Sequence, residues 1–324
     1  MVDEPLLTSP RVSVIIPAYN AAEFINETLD SVFAQTFSDF EVIVVNDGSP
    51  DTEDLERALK RYPEKLRYIK QENQGAAAAR NTGIRAASGE FVAFLDADDT
   101  WLPTFLQKQL ELLQRTRADF VYADALLTGN SPLSGRTFME VQPSRGDVTA
   151  ASLLAVQVTV LTSTVLARKQ PIIDVGMFDV TLRRGHDFEL WLRLAKHNIR
   201  FAYQHEILAH HRILETGLSG GVISQLERTL SVLDKIRTRD DLSEKEKAAL
   251  QLNLNRTRAE LALEEGKDRL LSRDFDAAAG SFRRARELGG GWKLRLVCAG
   301  MQLAPDLLRR AYQARVSRRR TAEV

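Results

Sequence analysis

Over its first two thirds the chain alternates short apolar runs, each ended by a polar cluster, with segments of helical period. Residues 12–16 (VSVII) form a β-branched run closed by Pro17, which predicts a first strand. Asn20 with Glu23 reads as a capping pair ahead of Ile25, Leu29, Val32 and Phe33, which share one helical face. Residues 41–45 (EVIVV) predict a second strand, ended by Asn46-Asp47-Gly48-Ser49, a turn sequence able to cap the next helix. Leu55, Ala58, Leu59 and Tyr62 give that helix its apolar face. Residues 66–69 predict a third strand, and AAAARNTGIRAA, ended by Gly89, a small-residue helix that can lie close on a sheet.

Residues 91–95 (FVAFL) have the length and lack of charge of a buried strand, and Asp96, Asp98 and Asp99 follow at its carboxyl end. Residues 103–117 read as helix, 120–122 as strand and 129–146 as loop. Residues 148–167 read as a short helix followed by a buried strand over 162–167, and 175–179 as a turn. Phe188, Trp191, Leu192 and Ala195 mark a helix opening at His186-Asp187, and 207–212 returns to extended character. Such alternation predicts a mostly parallel, right-handed α/β sheet. Tyr19, Asp47 and the acids of 96–99 each follow a strand, so they gather at the carboxyl edge, where ligands of open α/β sheets bind.

Composition narrows this picture. A length of 324 residues suits about two domains, or one large domain with an extension. Lys plus Arg and Asp plus Glu are both 44, which gives no global sign of a nucleic-acid partner. The single cysteine, Cys298, excludes an internal disulfide framework and fits a reducing compartment. The opening MVDEPLLTSP lacks the basic and apolar regions of a signal peptide. Residues 148–167 reach membrane-spanning length without charge, but seven Ser, Thr and Gln side chains argue against a span. The expectation is therefore a cytoplasmic protein.

The acids after the fourth strand carry the candidate chemistry. Carboxylates packed this closely repel one another unless a cation lies between them. A hard divalent ion that also holds a phosphate is the usual solution.

Four segments, VSVIIPAYN, VVNDGSPDT, ENQGAAAARNTGIRAASGEFVAFLDADD and GHDFELWLRL, resemble family 2 glycosyltransferases in order and spacing. The match spans roughly 11–221. It implies the GT-A fold, a Rossmann-like mostly parallel sheet, and an inverting enzyme (a hexosyltransferase type) that uses a nucleotide-sugar donor. By this resemblance Tyr19, with Pro17 beside it, stacks on the donor base; Asp47 accepts a hydrogen bond from the base; Arg80 contacts base or phosphate. Asp96 meets the ribose, and Asp98 is the ligand of Mg²⁺ or Mn²⁺, with Asp99 adjacent. Asp187 resembles the general base, a helix N-cap being the alternative.

Two departures stand out. Position 186 is His where the family usually has Glu before the Asp. The family's later Y-R-x-H-like segment corresponds to HHRILETGLSG, which puts Leu214 in the expected His slot and His210 and His211 on aromatic positions. Arg212 is then available to neutralise the diphosphate.

After about Gly221 the sequence turns long, charged and helix-forming, so the expected division is 1–221, catalytic, and 222–324, an all-α extension. Gly266, Ala278, Phe282 and Ala285 match the small and aromatic positions of a tetratricopeptide-like hairpin. The tail beyond Gly291 is basic, with Trp292, Leu294, Leu296, Val297, Met301 and Leu303 as apolar surface. Such a helix can lie on an anionic membrane, which would make the protein peripheral on the inner face; a frayed basic terminus is the alternative.

The reading is a glycosyltransferase of envelope or exopolysaccharide assembly, with a UDP-sugar as default donor, a glycan or lipid-linked acceptor, and no nucleic acid. A non-catalytic sugar-nucleotide-binding scaffold and a nucleotidyltransferase are the competing classes. The segment PAYNAAEF carries no Gly-rich basic phosphate loop, which disfavours the latter.

Overall fold

The structure, a computed structural model, describes residues 9–62, 66–214, 221–289 and 291–321. The opening MVDEPLLT, the 215–220 part of HHRILETGLSG and the side chains of Lys293, Arg315, Arg318, Arg319 and Arg320 lie outside it. The chain divides into two compact units, Met1–Ile213 and Leu214–Val324, so the division falls ahead of the expected Gly221.

In the first unit the order is β1 (Val12–Ala18), α1 (Ile25–Phe33), β2 (Phe40–Asp47), α2 (Thr52–Leu59), β3 (Leu66–Gln71), α3 (Ala76–Ala86), β4 (Phe91–Phe94), β5 (Thr100–Trp101) and α4 (Phe105–Thr116). It continues through β6 (Phe120–Gly129), α5 (Phe138–Val141), α6 (Ala150–Leu154), β7 (Leu166–Arg168), α7 (Lys169–Asp174), α8 (His186–Lys196) and β8 (Phe201–Ile213). One sheet holds the strands in the order β3-β2-β1-β4-β7-β6-β8-β5. β3, β2, β1 and β4 are parallel, as are β6 and β8; β7 runs antiparallel between β4 and β6, and β5 antiparallel to β8.

Both faces of the sheet are covered, which is why its strands read as continuous apolar runs. Strand alternation sends Val14 and Ile16 into one layer with Leu29, Leu55 and Phe105, and Ile15 into the other with Ala79, Ile84 and Trp191. The small residues of α3 let it approach β1 closely: a Cβ on Gly83 would lie 2.4 Å from Cγ2 of Ile15.

Three local expectations are corrected. Asn20 does not cap α1; it sits at φ 53°, and Phe24 occupies the N-cap with no side-chain bond. Its N–H instead donates to Ser49 Oγ at 2.6 Å, tying the loop after β1 to the loop after β2. Residues Thr162–Thr164 form a 3-10 turn in place of a strand, and β7 is confined to Leu166–Arg168. Thr164 Oγ1 donates to Leu161 O at 2.8 Å, the local bonding by which Thr competes with a sheet ladder. Helix α5 lies inside the expected 129–146 loop, opened by a capping box between Thr137 and Glu140.

The second unit contains α9 (Val222–Arg237), α10 (Glu244–Leu271), α11 (Phe275–Glu287), α12 (Trp292–Leu303) and α13 (Pro305–Thr321). Phe282 of α11 lies on Gly266 of α10, where a Cβ would meet the ring at 2.7 Å. The tail is not one helix, since the chain breaks at Ala304 before Pro305. Nor are all its apolar residues outward: Leu294, Val297 and Met301 pack toward Leu270 and Phe282, while Trp292, Leu296, Leu303 and Leu307 are exposed. Among the described residues no helix is long and apolar enough to cross a membrane.

Candidate active site

The register sets the site. Ala18 lies opposite Asn46, and Ile15 opposite Phe94, so β1, β2 and β4 deliver Tyr19, Asp47 and the acid turn to one edge. Pro17, next to last in β1, lies opposite Val45. Tyr19, just beyond, is 55% exposed, with its ring open to solvent. Asp47 is buried and holds the loop that leads into α3. Its Oδ1 accepts from Gln71 Nε2 at 2.7 Å and Gln74 N at 2.9 Å, and its Oδ2 accepts only from Gly75 N, at 2.7 Å. Oδ2 is thus the oxygen with capacity for a further donor.

The three acids of the turn have different environments. Burial opposes ionisation of Asp96, but the charge and hydrogen bond of Arg80, aided by His211 and His186, outweigh it and hold its carboxyl below the ordinary value. Asp99, fully buried, accepts from His211 Nδ1 at 3.0 Å and Arg212 N at 2.8 Å. Burial works against the His211 charge, but Asp99 dominates and raises its pKa to about 9. Asp98 has no such cation beside it. Burial, then Asp99 and Asp96, push its pKa up to about 7.

Arg212, at the end of β8, braces the turn from outside. Its Nε donates to Asp98 O at 3.1 Å and its Nη2 to Glu27 Oε2 at 2.5 Å. His210 lies by Thr100, with Nδ1 3.4 Å from its Oγ1. The two histidines therefore face β5 and Asp99.

Arg80 is buried beside the acid turn. It is only 5% exposed, and its two terminal nitrogens reach Asp96 and His186 Nε2, the latter at 2.7 Å. The guanidinium is turned inward, where it fixes Asp96. His186 is the other partner of this guanidinium. Guanidinium only donates, so His186 accepts at Nε2 and carries its proton on Nδ1. Burial, then the Arg80 charge, lower its pKa.

Asp187 is the second residue of α8. The N-cap is Gly185, at φ 66°, with no side-chain cap, so Asp187 does not fill the capping role. Its Oδ2 accepts from Thr162 Oγ1 at 3.1 Å. The next residue, Ser163, accepts from Asp96 N at 3.2 Å through Oγ. The 3-10 turn therefore joins the Asp187 carboxylate to the acid turn. Sequence reading missed Thr162 and Ser163; their only signal was polarity in an otherwise apolar stretch.

Among the described residues no three His, Cys, Asp or Glu side chains converge as a ready metal cage. Asp98 is the carboxyl of the turn that could hold a divalent cation, whose charge would favour its ionised form.

Residues 13–155 match the glycosyl transferase family 2 model. An uncharacterized glycosyltransferase of Rickettsia typhi is 31% identical over 230 residues, 68% of this chain and 69% of that protein. The chain belongs to glycosyltransferase family 2. Another relative of this glycosyltransferase is WfgD of Escherichia coli, 28% identical over 68% of this chain and 85% of its own. It is named a UDP-Glc:alpha-D-GlcNAc-diphosphoundecaprenol beta-1,3-glucosyltransferase. The mannosyltransferase PcManGT of Pyrobaculum calidifontis, solved with GDP-Man and Mn²⁺, shares the fold. Its TM-score is 0.62 at 20% identity, over 95% of this chain and 84% of that one.

Proposed function

We propose that this family 2 glycosyltransferase inverts the anomeric centre as it moves a sugar from a nucleoside-diphosphate donor to an acceptor hydroxyl, in assembly of an envelope or exopolysaccharide glycan. The observation that carries the reading is the link from Asp187 through Thr162 and Ser163 to Asp96, which sets a carboxylate beside the acid turn. An inverting transfer needs a base there, opposite the departing diphosphate. Asp187 takes the acceptor proton. Thr162 orients its Oδ2 at 3.1 Å and the Phe188 N–H its Oδ1 at 2.8 Å, and each oxygen keeps capacity for the acceptor hydroxyl.

Donor binding follows from the rest of the edge. Tyr19 stacks on the base above Pro17, and Asp47 Oδ2 receives the base N–H. Asp96, ionised and locked by Arg80, receives a ribose hydroxyl. Asp98 holds Mg²⁺ or Mn²⁺, which when bound offsets the charge of the leaving diphosphate. Arg212 lies close enough to the turn to add positive charge, since its Nε reaches Asp98 O.

The relative's printed name supports a UDP-sugar and a lipid-diphosphate-linked acceptor. A membrane-borne acceptor suits the second unit, where Trp292, Leu296, Leu303 and Leu307 are exposed near Arg295 and Arg310. This face would rest on an anionic leaflet. A donor screen over UDP-, GDP- and dTDP-sugars, by thermal shift and hydrolysis with Mn²⁺ or Mg²⁺, tests the reading. Stabilisation by one sugar nucleotide that requires the metal supports it; no response to any donor overturns it.

A further inference from the structure

A second pocket lies at the opposite edge of the same sheet. The parallel strands β1, β4, β6 and β8 begin there, and the antiparallel β7 ends there. The residues at these ends are Arg11, Phe91, Asp119, Arg200 and Arg168. Together with Glu90 and with Arg117 beyond α4, they line a cavity of about 280 Å³.

Backbone hydrogen bonds fix its walls. Phe91 N donates to Arg11 O at 3.1 Å, Asp119 N to Arg200 O at 2.8 Å, and Arg168 N to Asp119 O at 2.8 Å. Phe91 lies opposite Arg168 in the ladder, and its ring carries two guanidinium carbons, Arg11 at 5.8 Å and Arg168 at 5.1 Å. Three of the four arginines thus spring from sheet backbone, and two of them rest on one buried ring.

The charges do not balance. Four guanidiniums face two carboxylates. Arg168 reaches both Glu90 and Asp119, at 3.4 Å for the latter, and Arg200 reaches Asp119 at 3.9 Å. No carboxylate partner of Arg11 or Arg117 occurs among the described residues. Arg117 also adopts the left-handed conformation, at φ 54°, as the C-cap of α4. Glycine is the usual residue in that conformation at a helix end.

Guanidinium forks match tetrahedral oxyanions, and several converging on one cavity hold a dianion that a single surface arginine does not. We propose that this pocket is a phosphate-type anion site, separate from the donor site, with Arg11 and Arg117 as its free ligands. It would take a phosphomonoester group, from a soluble metabolite or from a phospholipid headgroup.

The test uses the full chain and an Arg11→Gln/Arg117→Gln double variant. Both substitutions are on exposed or half-exposed side chains; equal melting temperatures without ligand confirm folding. Inorganic phosphate is titrated calorimetrically with chelator present, against chloride at matched ionic strength. Wild type is expected to bind phosphate, and the double variant to bind it roughly tenfold more weakly or worse, given the strength of charge-assisted bonds. A second arm, with Trp292→Ser and Leu296→Ser added to both proteins so that the tail does not carry them to the membrane, compares their flotation with phosphatidylcholine vesicles with and without phosphatidic acid. Loss of flotation together with loss of phosphate binding identifies a lipid headgroup; loss of phosphate binding alone identifies a soluble phosphate. Equal phosphate binding by the two proteins, or a response no larger than chloride gives, overturns the proposal. Donor-dependent activity is not read in either arm, so failure of the donor-site reading would leave this result intact.

Discussion

Nη1 of Arg80 lies 2.7 Å from Nε2 of His186, and both groups are buried. His186 stands where the resemblance places a Glu before Asp187, and it gives Arg80 a neutral acceptor. His186→Leu leaves a buried guanidinium N–H without a partner, which should cost roughly 1–3 kcal/mol. Because Asp96 depends on Arg80, the donor KM should rise as well. His186→Gln can still accept, and should recover most of both losses. Denaturant unfolding and donor kinetics on the two variants check this; equal behaviour of Leu and Gln would contradict it.

Asp98 gives a prediction of opposite sign for stability and function. Its pKa is raised from 3.8 to about 7 by burial and by Asp99 and Asp96. A carboxyl whose pKa is raised on folding costs nothing below its unfolded value; the destabilisation grows as pH rises above about 3.8 and is complete above about 7. Asp98→Asn should therefore stabilise the metal-free protein at about pH 8. One pK unit is about 1.4 kcal/mol, so, discounted for partial exposure, the gain is roughly 1–3 kcal/mol. The same variant should lose the metal-dependent stabilisation by donor, which for wild type is about 2.7 kcal/mol at about 100 times the dissociation constant. Melting curves with Mn²⁺ and with chelator measure both.

His211 behaves in the other direction. Its pKa rises from 6.5 to about 9 through Asp99, against burial. A base raised on folding contributes its full stability below its unfolded value, and loses it as pH climbs through the folded one. The His211–Asp99 contribution should be complete below about pH 6.5 and gone above about pH 9. His211→Phe should then destabilise the metal-free chain by roughly 1–3 kcal/mol at about pH 6, and by much less at about pH 10. Urea unfolding across pH reports the difference.

The proposed membrane attachment rests on the tail. Wild type should float with anionic vesicles at low salt, and the attraction should fade as the screening length drops to about 10 Å near 0.1 M salt. Replacing exposed Trp292 and Leu296 by Ser should abolish flotation without unfolding the second unit, because Leu294, Val297 and Met301 are the residues that pack inward. Unchanged flotation would remove the tail from the account.

The carboxyl edge was legible because each strand is an uninterrupted apolar run and each polar cluster starts where a run stops. Asp47, Asp96 and Asp98 were placed by that rule alone. What lay hidden are contacts between distant segments. His211 meets Asp99 only because β5 pairs with β8, and a two-residue strand such as Thr100–Trp101 leaves no periodic trace. Arg80 gave no sign of facing inward, since a charged residue on a helix is ordinarily solvated. Thr162 and Ser163 read as part of a strand because their local hydrogen bonds, which curl the chain into a turn, are invisible in an apolar–polar pattern. The split of the tail's apolar residues into inward and exposed sets was equally unreadable, because it depends on where α11 lies against α12.

The central claim is that Asp187 removes the acceptor proton. Asp187→Asn preserves the shape and its place in α8, but cannot serve as a base. The direct measurement is the initial rate of sugar transfer by this variant and by wild type, at saturating donor and acceptor, with melting temperature and donor affinity recorded on the same samples. The account predicts an intact fold, near-normal donor affinity and transfer slowed by about 10²–10⁴-fold, the usual contribution of a general base. Transfer by Asp187→Asn at close to the wild-type rate would contradict it and place the base elsewhere.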